Sequence, residues 1–390
     1  MFTDLVFFII FSIKQTIHAR AFYTFLKGIG AALGARLAFD AHTLRLGRFD
    51  IVPLLQTTQL LESAGVISQT RQMPRLPDEP PLFWWTTDFG TTQHAGGSSF
   101  RNEYAALAAA LAEGLERSIW FNFDDYFQAS ISTSSERLHE THIDPQDFIG
   151  FTEMQRSKAP MHITSETELR WIQGYSWTRE TDIYLPAQIV SRKYADSVFK
   201  TGREPCIRPA ISTGLATAPT RVEAVLRGAL EVIERDAYMI MWHNQLSLPQ
   251  IAPEDLTCDN SSLAALIASC ERYNLSVTFL RLITDAPAYV IGAVVSDPTH
   301  TPTFGLGFCA HADAHIAAEK ALIEALRSRV HTRMRLAQTE KTKKTTRTTA
   351  RDRSVYWALN ERWKSLAFLI EGETLPLTRE PWKNAEPSTH

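Results

Sequence analysis

The sequence predicts an α+β fold, in which long helices pack on sheets. Three long helical patterns and several β-branched runs alternate irregularly along the chain, whereas a doubly wound fold needs a regular alternation of strands and helices. The 390 residues, 44% of them hydrophobic, are enough to bury a sizeable core. The chain therefore has the length of one large domain or two ordinary ones.

The first part of the chain predicts one strand and one long helix. Residues 15–75 have mixed helical and strand patterns without a chemical motif, and the proline-rich residues 74–81 predict a boundary. Residues 82–100 predict an aromatic strand that runs into a Gly/Ser turn. A long helical pattern follows over residues 102–120.

The middle of the chain predicts a loop, then strands around a second long helix. Residues 130–145 are rich in Ser, Thr and charge, which predicts a loop, and residues 181–190 predict a short strand interrupted by Pro186. The second helix covers about residues 220–242. Two β-branched runs, over residues 276–283 and 288–296, predict further strands.

The last part of the chain predicts a third long helix, over about residues 313–336. Residues 341–353 are polar and basic without apolar periodicity, which predicts a solvated loop, and residues 356–370 predict a final helix. Together these patterns predict an N-terminal segment, one main domain and a disordered tail, over residues 1–75, 76–370 and 371–390.

Charge and cysteine usage narrow the class of protein. The net charge of −3 gives no reason to expect a nucleic-acid partner. The four cysteines contain no CxxC pair, which argues against a zinc ribbon or a disulfide framework and favours the cytoplasm. The apolar run over residues 5–13 is too short to cross a bilayer, which takes roughly 20 residues. We therefore expect a soluble protein without a membrane partner.

The three helical patterns repeat one another. Residues 111–117 read LAEGLER, residues 229–235 read ALEVIER and residues 321–327 read ALIEALR. Each has a Glu three or four residues before an Arg, at the end of an apolar run. Side chains at this spacing lie on one face of a helix.

The second helix shows this pattern most clearly. Its charged residues form one stripe at helical period, on a helix that is otherwise apolar nearly all round: Glu223, Arg227, Glu231, Glu234 and Arg235. Apolar flanks predict that the helix is mostly buried and that the acidic stripe faces a cleft. The first helix repeats the pattern with Glu113, Glu116 and Arg117, and the third has Lys320, Glu324 and Arg327.

Convergence of the three stripes would crowd five carboxylates together: Glu113, Glu116, Glu231, Glu234 and Glu324. Two carboxylates ~4 Å apart repel by roughly 4 kcal/mol at an effective dielectric near 20, so five could not all remain ionised without compensation. A divalent cation bound through oxygen supplies that compensation. Magnesium usually binds a few carboxylates together with phosphate, which implies a nucleotide. The alternative is that each helix carries only an ordinary surface ion pair.

Three segments resemble motifs of the YcaO family, in the same order and at similar spacing. They are GGSSFRNEYAALAAALAEGLER at 96–117, STGLATAPTRVEAVLRGALEVIERDA at 212–237 and GLGFCAHADAHIAAEKALIEALRSR at 305–329. The resemblance covers about residues 80 to 370. It implies a nucleotide-binding fold without a P-loop, with long helices on mixed or antiparallel sheets, and the sequence indeed has no GxxxxGK[ST] motif.

The resemblance also implies site residues, carried over motif by motif. The magnesium ligands would be Glu113, Glu116, Glu231, Glu234 and Glu324. ATP would contact Glu223, Arg235 and Lys320, with Ser98 and Ser99 in a turn near the phosphates. No enzyme side chain is assigned as a nucleophile, because the family's chemistry needs positioning and charge neutralisation rather than covalent catalysis.

Several positions depart from the family pattern. Ala109 replaces a Ser of the first helix, Ala218-Pro219 replaces a Gly-Asn step, and Arg327 replaces the Gln of ExxQxR. The chain ends in AEPSTH, whereas the cyclodehydratase branch often ends in PxPxP. The last two departures bear on the type of reaction more than on the nucleotide site.

The resemblance implies an ATP- and Mg2+-dependent enzyme that phosphorylates the oxygen of a peptide-backbone amide. In the cyclodehydratase branch this gives thiazoline or oxazoline rings in a ribosomally made precursor peptide. Formation of a backbone thioamide or amidine, a non-catalytic homologue that binds a peptide or partner protein, and a structural helical protein remain alternatives. Expected partners are the precursor peptide, a leader-binding protein that residues 1–75 could meet, and a second copy of the chain.

Overall fold

The computed structural model describes residues 52–90, 93–122, 130–149, 154, 163–218, 220–258, 260–297, 299–339, 350–358 and 362–377. The chain forms two compact units, each built from separate stretches of sequence. Unit 1 comprises Met1–Thr70, Thr87–Ala95 and Leu111–Ala229, and unit 2 comprises Arg71–Thr86, Gly96–Ala110 and Leu230–His390. The expected apolar N-terminal run and the greater part of the expected tail lie outside the described residues.

The α-helices in chain order are α1 (Val52–Ser63), α2 (Glu103–Phe121), α3 (Ala187–Val190), α4 (Arg192–Thr201), α5 (Arg221–Asn244), α6 (Pro253–Thr257), α7 (Ser261–Arg272), α8 (Ala314–Thr339) and α9 (Ala350–Ala358). Residues Pro145–Phe148 and Arg362–Ile370 form 3-10 helices. The three long helices that the sequence predicts are confirmed as α2, α5 and α8. In the described part of the chain, no helix combines the length and the apolar composition that a membrane span needs.

The strands in chain order are β1 (Gln69–Gln72), β2 (Phe83–Phe89), β3 (Gln93–Ser99), β4 (Ser130–Ser134), β5 (Glu168–Ser176), β6 (Thr181–Pro186), β7 (Gln250–Ile251), β8 (Ser276–Arg281), β9 (Tyr289–Ser296) and β10 (Phe304–His311). Among the described residues these strands form three sheets, with the orders β1-β2-β3, β4-β5-β6 and β10-β9-β8-β7. The pairings within the last two sheets are antiparallel. Helices on antiparallel sheets confirm the expected α+β class.

The four-stranded sheet is the centre of unit 2, and both of its faces are covered. Ile291 and Val295 of β9 pack in one cluster with residues of α7 and α8. Val290 and Val294 pack in the other cluster, with residues of α5 and of the last 3-10 helix. Burial on both faces explains why β9 reads as a continuous apolar run instead of an alternating one.

Glycines of β10 bring α8 unusually close to this sheet. A Cβ added to Gly305 would lie 2.5 Å from the carbonyl oxygen of Ala325, and one added to Gly307 would collide with the carbonyl oxygen of Ala321. Only residues without a side chain allow this approach of backbone to backbone. Side chains that project from α8 beside β10 therefore reach the backbone of that strand.

Unit 1 has a smaller sheet core around Trp171 and Ile183, both fully buried. Its strand β4 corrects the prediction of a loop over residues 130–145. The five residues of β4 pair with β5, and the Trp171 indole N–H donates to the Thr133 carbonyl oxygen at 2.9 Å. Strand β5, which is largely apolar, supplies hydrogen-bond partners for the backbone of β4. This pairing makes the segment a strand although its composition is polar.

Two further predictions need correction. Helix α5 is not mostly buried, because Val222, Leu226, Met239 and Ile240 are all exposed apolar side chains. The spacing of the apolar residues predicts a helix, but it does not predict which of those residues will pack against another element. Residues 350–353, at the end of the expected basic loop, belong to α9, and residues 340–349 lie outside the described part of the chain.

Candidate functional site

Three of the predicted magnesium ligands lie in unit 2: Glu231 and Glu234 on α5, and Glu324 on α8. An oxygen of Glu324 accepts a hydrogen bond from the Phe308 backbone N–H at 3.0 Å, and an oxygen of Glu234 accepts one from the Ala310 N–H at 3.4 Å. Strand β10 is at the edge of its sheet, so alternate N–H groups point away from β9 and are available to these carboxylates. Both glutamates therefore meet the same edge strand.

The carboxyl group of Glu234 lies in a strongly perturbed environment. Burial is the main cause that raises its pKa, the charges of Glu324 and Glu231 add to the rise, and the resulting pKa is about 8. The Arg235 guanidinium lies 3.5 Å from the Glu234 carboxylate and acts in the opposite direction. Its side chain is 41% exposed while that of Glu234 is 12% exposed, so solvent weakens the ion pair and burial dominates.

This donor set fits a cation by its charge. The charges of Glu324 and Glu231 act on Glu234, the Arg235 guanidinium opposes them, and oxygen ligands are those that Mg2+ prefers. No group of three such ligands is yet close enough to hold a metal among the described residues. Glu234 and Glu324 each direct one oxygen at β10, which leaves the second oxygen of each carboxylate for a cation.

Lys320 lies one helical turn before Glu324 on α8 and is exposed. Its positive charge acts on two neighbours at the end of β10 and favours a lower pKa for each. Burial raises the pKa of the Cys309 thiol to about 12 while Lys320 opposes the shift, and burial together with Lys320 lowers the pKa of His311. The Lys320 ammonium group therefore lies beside the strand that Glu234 and Glu324 contact, where a phosphate could meet it.

The remaining predicted acidic residues belong to unit 1. The Arg117 guanidinium lies 3.5 Å from a Glu113 oxygen and 3.7 Å from a Glu116 oxygen, which is the local ion-pair pattern that the alternative interpretation describes. Glu223 is exposed in the first turn of α5, where its backbone N–H donates to the Thr220 hydroxyl at 3.2 Å. That these three glutamates join those of unit 2 around a metal stays a prediction.

The prediction of a turn at Ser98 and Ser99 is wrong, because both residues end strand β3. The preceding glycine explains the difference: a Cβ on Gly97 would collide with backbone atoms of Ala106 and Ala110, so β3 packs directly on α2. The Ser99 hydroxyl accepts from the Arg101 N–H at 3.1 Å, at the turn that actually follows. Ser98 is partly exposed and Ser99 is buried, as alternate residues of a strand.

Sequence reasoning missed a buried carboxylate next to Lys320. Glu319 is 5% exposed and accepts from Arg101 at 2.7 and 2.5 Å, from the Asn260 amide at 3.0 Å and from the Ser262 hydroxyl at 2.9 Å. Burial raises its pKa, but these donors outweigh burial and lower it below the ordinary value. No local pattern identifies this set, since its members come from three separate segments.

Arg327, which stands where the YcaO pattern has Gln, also has a structural partner. Its guanidinium donates to the Gly96 carbonyl oxygen at 2.8 Å, in the strand that carries Ser98. Arg327 thus connects α8 to β3 within unit 2. A glutamine at the same position has a shorter side chain and no charge, so this connection is particular to the residue present here.

A protein-family model described as YcaO cyclodehydratase, ATP- and Mg2+-binding, matches residues 99–389. An uncharacterized protein of Methanothermobacter thermautotrophicus is 29% identical over 173 residues, which are 42% of either chain. The ribosomal protein S12 methylthiotransferase accessory factor YcaO of Escherichia coli is 26% identical over 170 residues, 43% of this chain and 26% of that protein. The chain thus aligns with less than half of the length of these relatives.

Solved structures share the fold. A heterocyclase in complex with substrate and cofactor has a TM-score of 0.66 and 19% identity over 85% of this chain and 47% of its own. YcaO from Methanopyrus kandleri, bound with AMPPCP and Mg2+, has a TM-score of 0.57 and 18% identity over 85% and 78%. The E. coli microcin synthetase McbBCD complex with pro-MccB17 bound has a TM-score of 0.59 and 13% identity over 79% and 76%. At these identities the likeness establishes architecture alone.

Proposed function

The chain belongs to the YcaO family, and from that premise we propose that it is a cyclodehydratase that activates a peptide-backbone amide by phosphorylation. The family binds ATP and Mg2+ by the description of its model. The product would be a thiazoline or oxazoline ring in a ribosomally made precursor peptide. The heterocyclase and the microcin synthetase complex among the similar structures support this class of substrate.

One observation in the structure carries the proposal. Glu234 is a buried carboxyl group whose pKa is raised to about 8 by burial and by the neighbouring charges of Glu324 and Glu231. Such a cluster is costly for a protein that binds no cation, because like charges in a poorly solvated place repel. Perturbed carboxyl groups of this kind are typical of functional sites.

Each predicted site residue on α5 and α8 in unit 2 can be given a role that agrees with its position. Glu231, Glu234 and Glu324 would hold Mg2+, Arg235 would neutralise charge beside them, and Lys320 would bind a phosphate oxygen. When bound, ATP supplies the phosphoryl group that turns the amide oxygen into a leaving group. The chain itself binds, orients and neutralises, so no nucleophilic side chain is required.

Release of phosphate from ATP tests the proposal. With Mg2+ and a candidate precursor peptide, we expect turnover that Glu231→Ala or Glu234→Ala lowers by at least a hundredfold, because each change removes a metal ligand. Glu271→Ala is the matched control, since Glu271 is an exposed residue of α7 that contacts none of these groups. Turnover of the two site variants equal to that of the control would refute the proposal.

The mass of the peptide product then divides the possible reactions into two groups. Loss of one water indicates an azoline or an amidine, and exchange of oxygen for sulfur indicates a thioamide. An azoline needs a Cys, Ser or Thr side chain in the peptide whereas an amidine closes on a backbone amine, so a peptide without those side chains separates the first two. Binding of peptide without any release of phosphate would instead indicate a non-catalytic homologue. This measurement is necessary because Arg327 stands where the ExxQxR pattern has Gln, and that departure bears on the type of reaction.

A further inference from the structure

The side chain of Tyr238 lies beside the proposed metal ligands of unit 2. Tyr238 follows Glu234 by four residues on α5, so both side chains are on the same face of that helix. Its ring packs on the Phe308 ring with 4.6 Å between the centroids, and the backbone N–H of Phe308 is the group that binds Glu324. The phenol ring is thus held between α5 and the strand that both glutamates contact.

Helix α9 brings Arg353 to the same place. The Trp357 ring on α9 meets the Trp242 ring on α5 edge to face, with 5.7 Å between the centroids. Arg353 precedes Trp357 by four residues, and Tyr238 precedes Trp242 by four, so each lies one helical turn from this contact. The charge of Arg353 favours a lower pKa for the Tyr238 hydroxyl, which places both residues on the same side of the contact.

The Tyr238 hydroxyl and the Arg353 guanidinium are both donors. Burial is the main cause that raises the pKa of Tyr238, so its hydroxyl keeps its proton at neutral pH. The charges of Arg235 and Arg353 oppose this rise, and the charge of Glu324 adds to it. In the described part of the chain, neither the Tyr238 hydroxyl nor the Arg353 guanidinium forms a hydrogen bond or an ion pair.

The surroundings of these two donors indicate the group that they meet. We propose that Tyr238 and Arg353 bind the terminal phosphoryl group of the nucleotide, which rests on the proposed function of the neighbouring carboxylates. Tyr238 lies one turn beyond Glu234, the last glutamate of the acidic stripe on α5, and this position favours the end of the phosphate chain. Phosphoryl oxygens accept several hydrogen bonds at once, and guanidinium groups bind them strongly.

Affinity for a non-hydrolysable ATP analogue tests this inference without turnover. Calorimetry measures the Kd of AMPPCP and of ADP, each with Mg2+, for the natural protein, Tyr238→Phe and Arg353→Gln. We expect Tyr238→Phe to weaken binding of AMPPCP about fivefold and Arg353→Gln about tenfold, as loss of a neutral and of a charged hydrogen bond does. Binding of ADP, which lacks the terminal phosphoryl group, should change less than about twofold.

Two adjacent residues at the end of α7 supply matched controls. Arg272→Gln and Tyr273→Phe make the same chemical changes elsewhere in unit 2, and both should leave the affinity for AMPPCP unchanged. Tyr273 packs in the cluster on the opposite face of the four-stranded sheet from Tyr238. Tyr238→Phe keeps the ring that packs on Phe308, and circular dichroism of each variant verifies that the fold is intact.

Any of three results overturns the inference. One is an affinity of both site variants for AMPPCP equal to that of the controls. Another is an equal loss of affinity for ADP and AMPPCP, because the two side chains would then act elsewhere in the site. The third is the absence of AMPPCP binding by the natural protein. Release of phosphate from ATP with a peptide is measured separately, so the cyclodehydratase proposal can fail while these differences in affinity remain, and the reverse.

Discussion

At the scale of single residues, Glu234 shows how a carboxyl group can be poised for a cation. Burial, then Glu324, then Glu231 favour its neutral form, while Arg235 and the Ala310 backbone N–H favour the charged form. A proton can occupy this position when no metal does. The ionised carboxylate is unfavourable in this buried site near two other carboxylates, and a bound cation would relieve that unfavourable energy.

This balance predicts a pH dependence of stability. The pKa of Glu234 is raised from 4.5 to about 8 on folding, so its contribution to stability is fully present below about pH 4.5 and is lost as the pH rises through about 8. In EDTA, we expect the melting temperature of the natural protein to fall more steeply between pH 6 and pH 9 than that of Glu234→Gln. Thermal unfolding followed by circular dichroism measures both slopes.

Groups other than Glu234 titrate in both proteins and cancel in the difference between the two slopes. Mg2+ added near pH 9 should raise the melting temperature of the natural protein more than that of the variant, since the neutral amide is a weaker ligand. Parallel curves in EDTA would contradict the assignment of the raised pKa to Glu234.

At the scale of elements, the contact between β10 and α8 sets the position of the acidic side chains. Gly305 and Gly307 let the helix approach the strand until Glu324 can reach the Phe308 N–H. The same arrangement recurs where Gly97 lets β3 lie on α2. In both places a glycine of the strand allows a short distance between the strand and a helix that carries acidic side chains.

We predict that Gly307→Ala lowers the free energy of unfolding by about 1–3 kcal/mol, because the new methyl group meets the carbonyl of Ala321, a backbone atom that cannot rotate away. Urea denaturation measures the change. Gly174→Ala in β5 is the control, since its methyl group would meet the end of the Leu185 side chain at 3.1 Å, which can move. An equal loss in both variants would show that helix–strand contact is not the cause.

At the scale of the whole molecule, charged residues connect segments that are distant in sequence. Arg329 is 3% exposed and binds Glu79, Asp297 at 2.9 Å and the Pro302 carbonyl. Glu79 lies before residue 99, where the family match begins. The proline-rich segment expected to be a boundary is therefore tied into unit 2, while the expected division at residue 76 stays a prediction.

Removing this connection should destabilise unit 2. We expect Arg329→Met to lower the free energy of unfolding by about 3–5 kcal/mol, because it removes the guanidinium that binds Asp297 and one of the two that bind the buried Glu79. Arg137→Met, whose guanidinium is 74% exposed and lies 3.5 Å from the exposed Glu168, should cost about 1 kcal/mol or less. Chemical denaturation of both variants separates the cases, and similar losses would argue against a special role for the buried arginine.

Local patterns predicted much of the architecture. The long helices α2, α5 and α8 have spacing that only a helix uses, and the runs at β8 and β9 contain the β-branched residues that strands prefer. Pro186 ends β6, but residues 187–190, which were expected to belong to the same interrupted strand, form helix α3 instead. The strand β4 and the strand position of Ser98 escaped prediction because neighbours distant in sequence decide them.

The sequence by itself determined the family, the α+β class and the acidic residues that could bind a metal, because these follow from residue types at fixed spacing along one helix or motif. Only the tertiary structure decided that Glu234 and Glu324 meet at β10, that Glu319 is held by Arg101, and that Arg327 binds the Gly96 carbonyl oxygen. These contacts join segments far apart in the chain, and their energies depend on burial and on neighbouring charge. Neither quantity exists until the chain has folded.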